Sequence, residues 1–242
     1  MAESDNPLEV AKIVANDIKN QLVGNHLSTV TYNLPTKEDY SQGKGKIPIF
    51  VVVSKFNTDV ATKMANVATK WKESRIDGPF IAEQNDFKGI EDSVPEELWD
   101  ISSNYAVLEG TDILKQLPKF NKEYLRAQAE RTIRGYIFKL RWTLPQALMD
   151  EAELKTYINN LAFYSQLSIQ LYHKIVHPEI RSVKGHLLAF SSGFPESWQY
   201  LKGLLEMVYD NKPVGKESVD LLTNTINFVL VGILNRIDSL GR

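Results

Sequence analysis

Apolar residues recur at four-residue spacing near the start of the chain: Val10, Val14, Ile18 and Leu22 form one stripe, with Lys12, Asp17 and Lys19 off it. That pattern predicts an amphipathic helix. Asn6 or Asp5 before Pro7 supplies its start, a capping side chain followed by a proline at the first helical position, and Gly24-Asn25 supplies its end. From Leu27 the pattern becomes that of strands. LSTVTYN is a first strand, and Ile47, Ile49, Phe50, Val51, Val52 and Val53 make a nearly unbroken β-branched and aromatic run. Such a run suits a central strand covered on both faces. The residues between, LPTKEDYSQGKGK, read as a loop.

Asn57 or Thr58 then caps a second helix, with Val60, Met64, Val67, Ala68 and Trp71 at helical spacing. Ile76-Asp77-Gly78-Pro79 breaks the chain; Phe80–Glu83 reads as a short strand and residues 86–92 as a helical turn. ELWDISSNYAVLEG, opened by Val94-Pro95, reads as one or two further strands. Mixed elements end near Pro118, and everything beyond is helical. Asn121 caps a long helix with Leu125, Ala129, Ile133, Tyr136, Ile137 and Leu140 along one side, and Pro145 is expected to open the next segment. Residues 151–176 form a helix stopped by His177-Pro178. Residues 179–215 are looser, with at least two short helices, and a final helix over about 216–238 buries Val219, Leu222, Ile226, Val229, Ile233 and Ile237. The prediction is an α+β chain: a mixed-sheet domain over 1–118 and an all-α bundle over 119–242.

The 242 residues, 43% hydrophobic and 24% charged, are those of an ordinary globular chain. No unbroken apolar run approaches the length of a membrane span, and the polar MAESDNP start is unlike an export signal, so the cytoplasm is the expected compartment. The absence of cysteine excludes disulfides and thiolate metal sites. The first 118 residues are net acidic and the remainder mildly basic. Neither balance has the dense basic patch of a nucleic-acid binder.

Tyr32 with Tyr40 and Gly43 ahead of IPIFVVV, the stretch PFIAEQNDFKGIEDSVPEELWDISSNYAVLEGTDIL and the run LRAQAERTIRGYIFKLR together resemble bacterial nucleotidyltransferase-fold proteins with a helical C-terminal domain. The resemblance covers most of the chain. It implies a fixed layout in active members: a Gly-Ser pair after the first strand, where bare backbone approaches phosphates, and two aspartates one residue apart on the second strand. A third carboxylate on a neighbouring strand completes a divalent-metal site. At those positions this chain has Asn33-Leu34 and Lys46-Ile47-Pro48. An ammonium and a proline ring offer a hard cation no side-chain oxygen. Asp100 stands as a vestigial third carboxylate, so the resemblance assigns no catalytic residue and no metal ligand set.

Three functional readings follow. The first is a catalytically inactive nucleotidyltransferase-like protein that binds a nucleotide, a small anion or a protein. The second is a divergent Mg-dependent nucleotidyltransferase using Asp100 with Glu38, Asp39 or Glu130. The third is a structural protein forming a homodimer through the apolar faces of its last helices. Arg131 and Arg134, with Glu130, are the candidate ligand-binding residues, on a helix expected to line a cleft between the domains. Local ion pairs such as Glu130 with Arg134 explain the same charges.

The four histidines are too scattered for a metal site: His173 and His177 are four apart, but Pro178 ends the helix there. Arg181 and His186 have a spacing resembling the ribonuclease motif of some small helical-bundle toxins, in a region too irregular to support it. Trp71, Trp99, Trp142 and Trp198 fall mostly on apolar faces and read as core.

Overall fold

The computed structural model describes residues 6–43, 45–119, 121–180, 182–210 and 218–240, without the side chains of 68–71 and 73. The expectations for Asp5, Ala68, Trp71 and Arg181 therefore fall outside the described residues. The chain divides into two compact units, Met1–Asn121 and Lys122–Arg242.

In the first unit α1 (Pro7–Gln21) is capped by Asn6, whose Oδ1 accepts from the Leu8 N–H at 3.1 Å, and Pro7 sits in the first turn. Ala11, Val14, Ala15 and Ile18 face the core. Replacing Asn6 by alanine removes that acceptor; a loss of about 1 kcal/mol is expected, seen as a lower denaturation midpoint at unchanged slope.

Strands β1 (His26–Tyr32), β2 (Ile49–Val53), β3 (Phe80–Glu83) and β4 (Tyr105–Gly110) form one sheet in the order β3-β2-β1-β4. β2 is antiparallel to β1 and parallel to β3, and β1 is antiparallel to β4. All five β2 residues are buried because alternate side chains enter two different cores. Ile49, Val51 and Val53 pack with α1 and with α3 (Thr58–Glu73) on one face. Phe50 and Val52 pack with Phe87, Ile101, Ile113 and Leu114 on the other. The central strand predicted from the sequence is thus sandwiched between helical layers.

Two parts of this unit differ from expectation. The loop between β1 and β2 contains a short helix, α2 (Lys37–Ser41), with Thr36 accepting from the Asp39 N–H at 3.0 Å. The segment read as strand from Glu97 is helical as far as Ser103: after the turn α4 (Ile90–Ser93), helix α5 (Pro95–Ser103) precedes β4, the strand that does form. Pro95 at the first position and Glu96 and Glu97 in the first turn favour helix there, and the buried Leu98 and Ile101, three apart, share one helical face.

The second unit is all helix: α6 (Lys122–Ala147), α7 (Glu151–Val176), α8 (Val183–Gly193), α9 (Pro195–Tyr209), α10 (Ser218–Asn224) and α11 (Val231–Ser239). Pro145 lies inside the last turn of α6 instead of opening a new segment, close enough to the end that its missing N–H breaks little of the ladder. A π-helical turn, Thr225–Leu230, joins α10 to α11. The resulting helix, Ser218–Ser239, is long and apolar enough to cross a membrane, but Leu222, Ile226, Val229, Leu230, Ile233 and Ile237 are buried in the chain. Trp142 departs from its expected core role. It is 67% exposed and stacks on the similarly exposed Phe138, 6.1 Å away between ring centres.

Candidate functional site

Where β1 ends, the chain turns at Asn33 with φ of 44°. Asparagine tolerates this left-handed geometry better than most side chains. The Asn33 N–H donates to the Asn104 carbonyl at 3.1 Å, and its side-chain amide donates to Asp100 Oδ1 at 3.3 Å. The Asn33 carboxamide is therefore bonded to Asp100, the carboxylate expected from the resemblance. Asp100 itself sits on α5, and not on a strand.

Lys46, Ile47 and Pro48, which the resemblance sets against two aspartates, lie on the segment entering β2. Lys46 is exposed and pairs with Asp77 at 3.5 Å. Ile47 is buried and bridges to Ile76, its N–H bonded to the Arg75 carbonyl at 3.0 Å and its carbonyl receiving the Asp77 N–H at 2.9 Å. The Pro48 carbonyl accepts from Thr31 Oγ1 at 2.8 Å. Burial pushes the Tyr32 hydroxyl up to about 12, and the charges of Asp100, Asp77 and Glu97 push the same way.

Glu38, Asp39 and Glu130 are each engaged locally. Glu38 accepts from Gln42, and Asp39 accepts from Thr36 Oγ1 at 2.8 Å, both within the surface helix α2. Glu130 belongs to the second unit, where it is held by Arg134 and Arg126. Among the described residues no three His, Cys, Asp or Glu side chains converge on a point that could hold a metal ion.

The loop itself is packed. Tyr40 is buried, its hydroxyl donating to the Ser74 carbonyl at 2.9 Å. The Arg75 guanidinium lies 3.8 Å from the Tyr40 ring centre and donates to the Tyr40 carbonyl at 2.5 Å. Gly43 and Gly45, at φ of 76° and 75°, carry the chain back towards β2.

In the second unit Arg134 donates to Glu130 at 3.0 Å and to Asp238 at 2.8 Å, which holds its guanidinium above the usual range. Arg131 is exposed, with no ion-pair partner among the described residues. Between α6 and α7 a groove of about 430 Å³ is lined by Lys139, Gln146, Glu153, Tyr157, Asn160 and Tyr164 among others. The buried Tyr157 hydroxyl in its lining has no hydrogen-bond partner among the described residues, and burial raises it. His173 and His186 also meet, across α7 and α8, a pairing that no sequence spacing signalled.

No family model matches the chain, and no curated protein matches it. Among solved structures, spectinomycin adenyltransferase AAD(9) from Enterococcus faecialis, determined with ATP and spectinomycin, matches with a TM-score of 0.55 at 13% sequence identity. The match covers 96% of this chain and 100% of that one. That protein is a nucleotidyltransferase. With its mixed four-stranded sheet followed by a helical C-terminal region, this chain has the α+β nucleotidyltransferase fold.

Proposed function

We propose that this protein uses the nucleotidyltransferase fold to bind, without transferring a nucleotide. The observation that carries the reading is the Asn33–Asp100 pair. The amide occupies the turn where phosphates approach in active relatives and is bonded to the remaining carboxylate, while Lys46 and Pro48 stand where the metal ligands belong. A metal-assisted transfer needs oxygen donors around one point, and the described residues offer no such cluster. Binding needs only complementary groups. Arg131 is a cation without a described partner, whereas Arg134 is already satisfied by Glu130 and Asp238. The α6–α7 groove has the volume of a small-molecule site.

Thermal melts with ATP, with and without Mg²⁺, test this in the native chain and in the Asp100→Ala and Arg131→Ala variants. A ligand at a hundredfold its Kd stabilises by about 2.7 kcal/mol, roughly 5–10 °C for a chain of this size. The expected shift with ATP is the same in EDTA as in Mg²⁺, is kept in Asp100→Ala and is reduced in Arg131→Ala. A shift that requires Mg²⁺ and disappears in Asp100→Ala would establish a working metal site and overturn the reading. No shift under any condition removes nucleotide from the ligands and leaves a different anion or a protein as the partner.

A further inference from the structure

Among its described residues helix α8 buries two side chains, His186 and Phe190. Near its C-terminal end Phe190 is fully buried. Near its N-terminal end His186, 5% exposed, places Nδ1 3.3 Å from Nδ1 of His173, 2% exposed on α7. The two rings are nearly parallel, at 13°. A hydrogen bond between two neutral imidazole nitrogens uses a single proton and needs unlike tautomers. One imidazole is the Nδ1–H tautomer and donates; the other is the Nε2–H tautomer and accepts on Nδ1.

We propose that His173 and His186 form a proton-operated latch that holds the first turn of α8 to α7 and releases it in acid. The proton balance sets how it opens. A first added proton goes to Nε2 of the donor ring, giving an imidazolium that still donates to its neutral partner. A second must occupy the Nδ1 lone pair that receives the bond. Two N–H groups and two positive charges then face each other, and the contact is lost.

The surroundings resist both steps. Burial lowers His173 to about 4, and the charges of His186 and His177 act in the same direction, with Glu179 opposing them. Burial also lowers His186, aided by Lys174. His177 sits 5.7 Å from the His173 ring and pairs with Glu179 at 3.3 Å. On α7 itself the Tyr172 ring lies 5.4 Å from that of His173; Phe194 packs edge-on against Tyr172, with the Arg236 guanidinium of α11 5.7 Å over Phe194. Because the latched form holds its imidazoles below their ordinary range, the released form binds more protons. The latch is therefore intact above the ordinary histidine range of about 6.5 and weakens as pH falls towards about 4. Each proton taken up on release changes its opening by about tenfold per pH unit. Release frees Ser182, which caps α8 by accepting from Gly185 at 3.0 Å, while Phe190 keeps the far end docked.

The test is imidazole ¹⁵N NMR of the full chain from pH 7.5 down to 4.5, with pulsed amide exchange across 183–187 at matched pH steps. At neutral pH one Nδ1–H and one Nε2–H tautomer are expected for the pair. On acidification the 183–187 amides are expected to lose protection before those beyond Phe190. In His186→Gln, which keeps polar contact but does not titrate, the acid-dependent loss is expected to vanish. Identical tautomers at neutral pH, or an unchanged acid response in His186→Gln, would overturn the proposal. A neutral-pH stabilisation by Zn²⁺ that EDTA reverses and His186→Gln abolishes would also overturn it, because the facing nitrogens would then share a metal instead of a proton.

Discussion

Gly110→Ala is expected to destabilise the first unit by roughly 2–5 kcal/mol, the sum of a left-handed backbone penalty and overpacking. Gly110 ends β4 with φ of 84°, so any side chain there is strained. A Cβ would also stand 2.2 Å from the Leu27 carbonyl oxygen and 2.9 Å from Leu27 C and Ser28 Cα. All three atoms are backbone of β1, which is paired on both edges and has no room to retreat. The same place carries a register shift: Thr29 pairs with Glu109 but Val30 with Val107, and the Thr111 N–H returns to the Leu27 carbonyl at 3.1 Å. Gly78→Ala is the control, since a Cβ there meets nothing within 4 Å and φ is ordinary. Chemical denaturation of both variants should show a large fall in midpoint for the first and almost none for the second. A native midpoint in Gly110→Ala would mean that β4 is not seated on β1 in this register.

Much of this fold was legible from periodicity. The Asn6 cap, the α1 stripe and the all-buried β2 followed from local chemistry that acts the same way in any chain. Helix α5 was not legible as such, because Trp99, Ile101 and Tyr105 also suit a strand; the decision lay with Pro95 and two glutamates in the first turn. The contacts that define the candidate site were harder still. That Asn33-Leu34 and Lys46-Ile47-Pro48 differ from the layout implied by the resemblance is a matter of residue types alone. That Asn33 keeps the left-handed turn and spends its amide on Asp100 needed a contact 67 residues apart in sequence. His173 lies within two turns of Pro178, yet its partner arrives from the next helix, beyond that proline.

Tyr40→Ala is expected to cost roughly 3–5 kcal/mol, the range for deleting a buried aromatic ring, and to loosen the segment between β1 and β2. Tyr40 is 4% exposed in a stretch that carries Lys37, Glu38, Asp39 and Lys46, so its ring is the apolar anchor of an otherwise polar loop. Arg75 closes over it with φ of 52°, a left-handed conformation that costs a side-chain-bearing residue about 1–2 kcal/mol. That conformation is held by the stacking on the ring and by the bond to the Tyr40 carbonyl. Tyr40→Phe keeps the ring and loses only the bond to Ser74, worth about 1 kcal/mol. The two variants therefore separate packing from hydrogen bonding. Denaturation midpoints should fall far more for alanine than for phenylalanine, and amide exchange over 34–48 should accelerate in the alanine variant alone. Equal effects would show that the ring is not packed and that the loop is not anchored by it. With the ring packed, the loop is committed to the core of its own unit and stabilises the sheet beneath it.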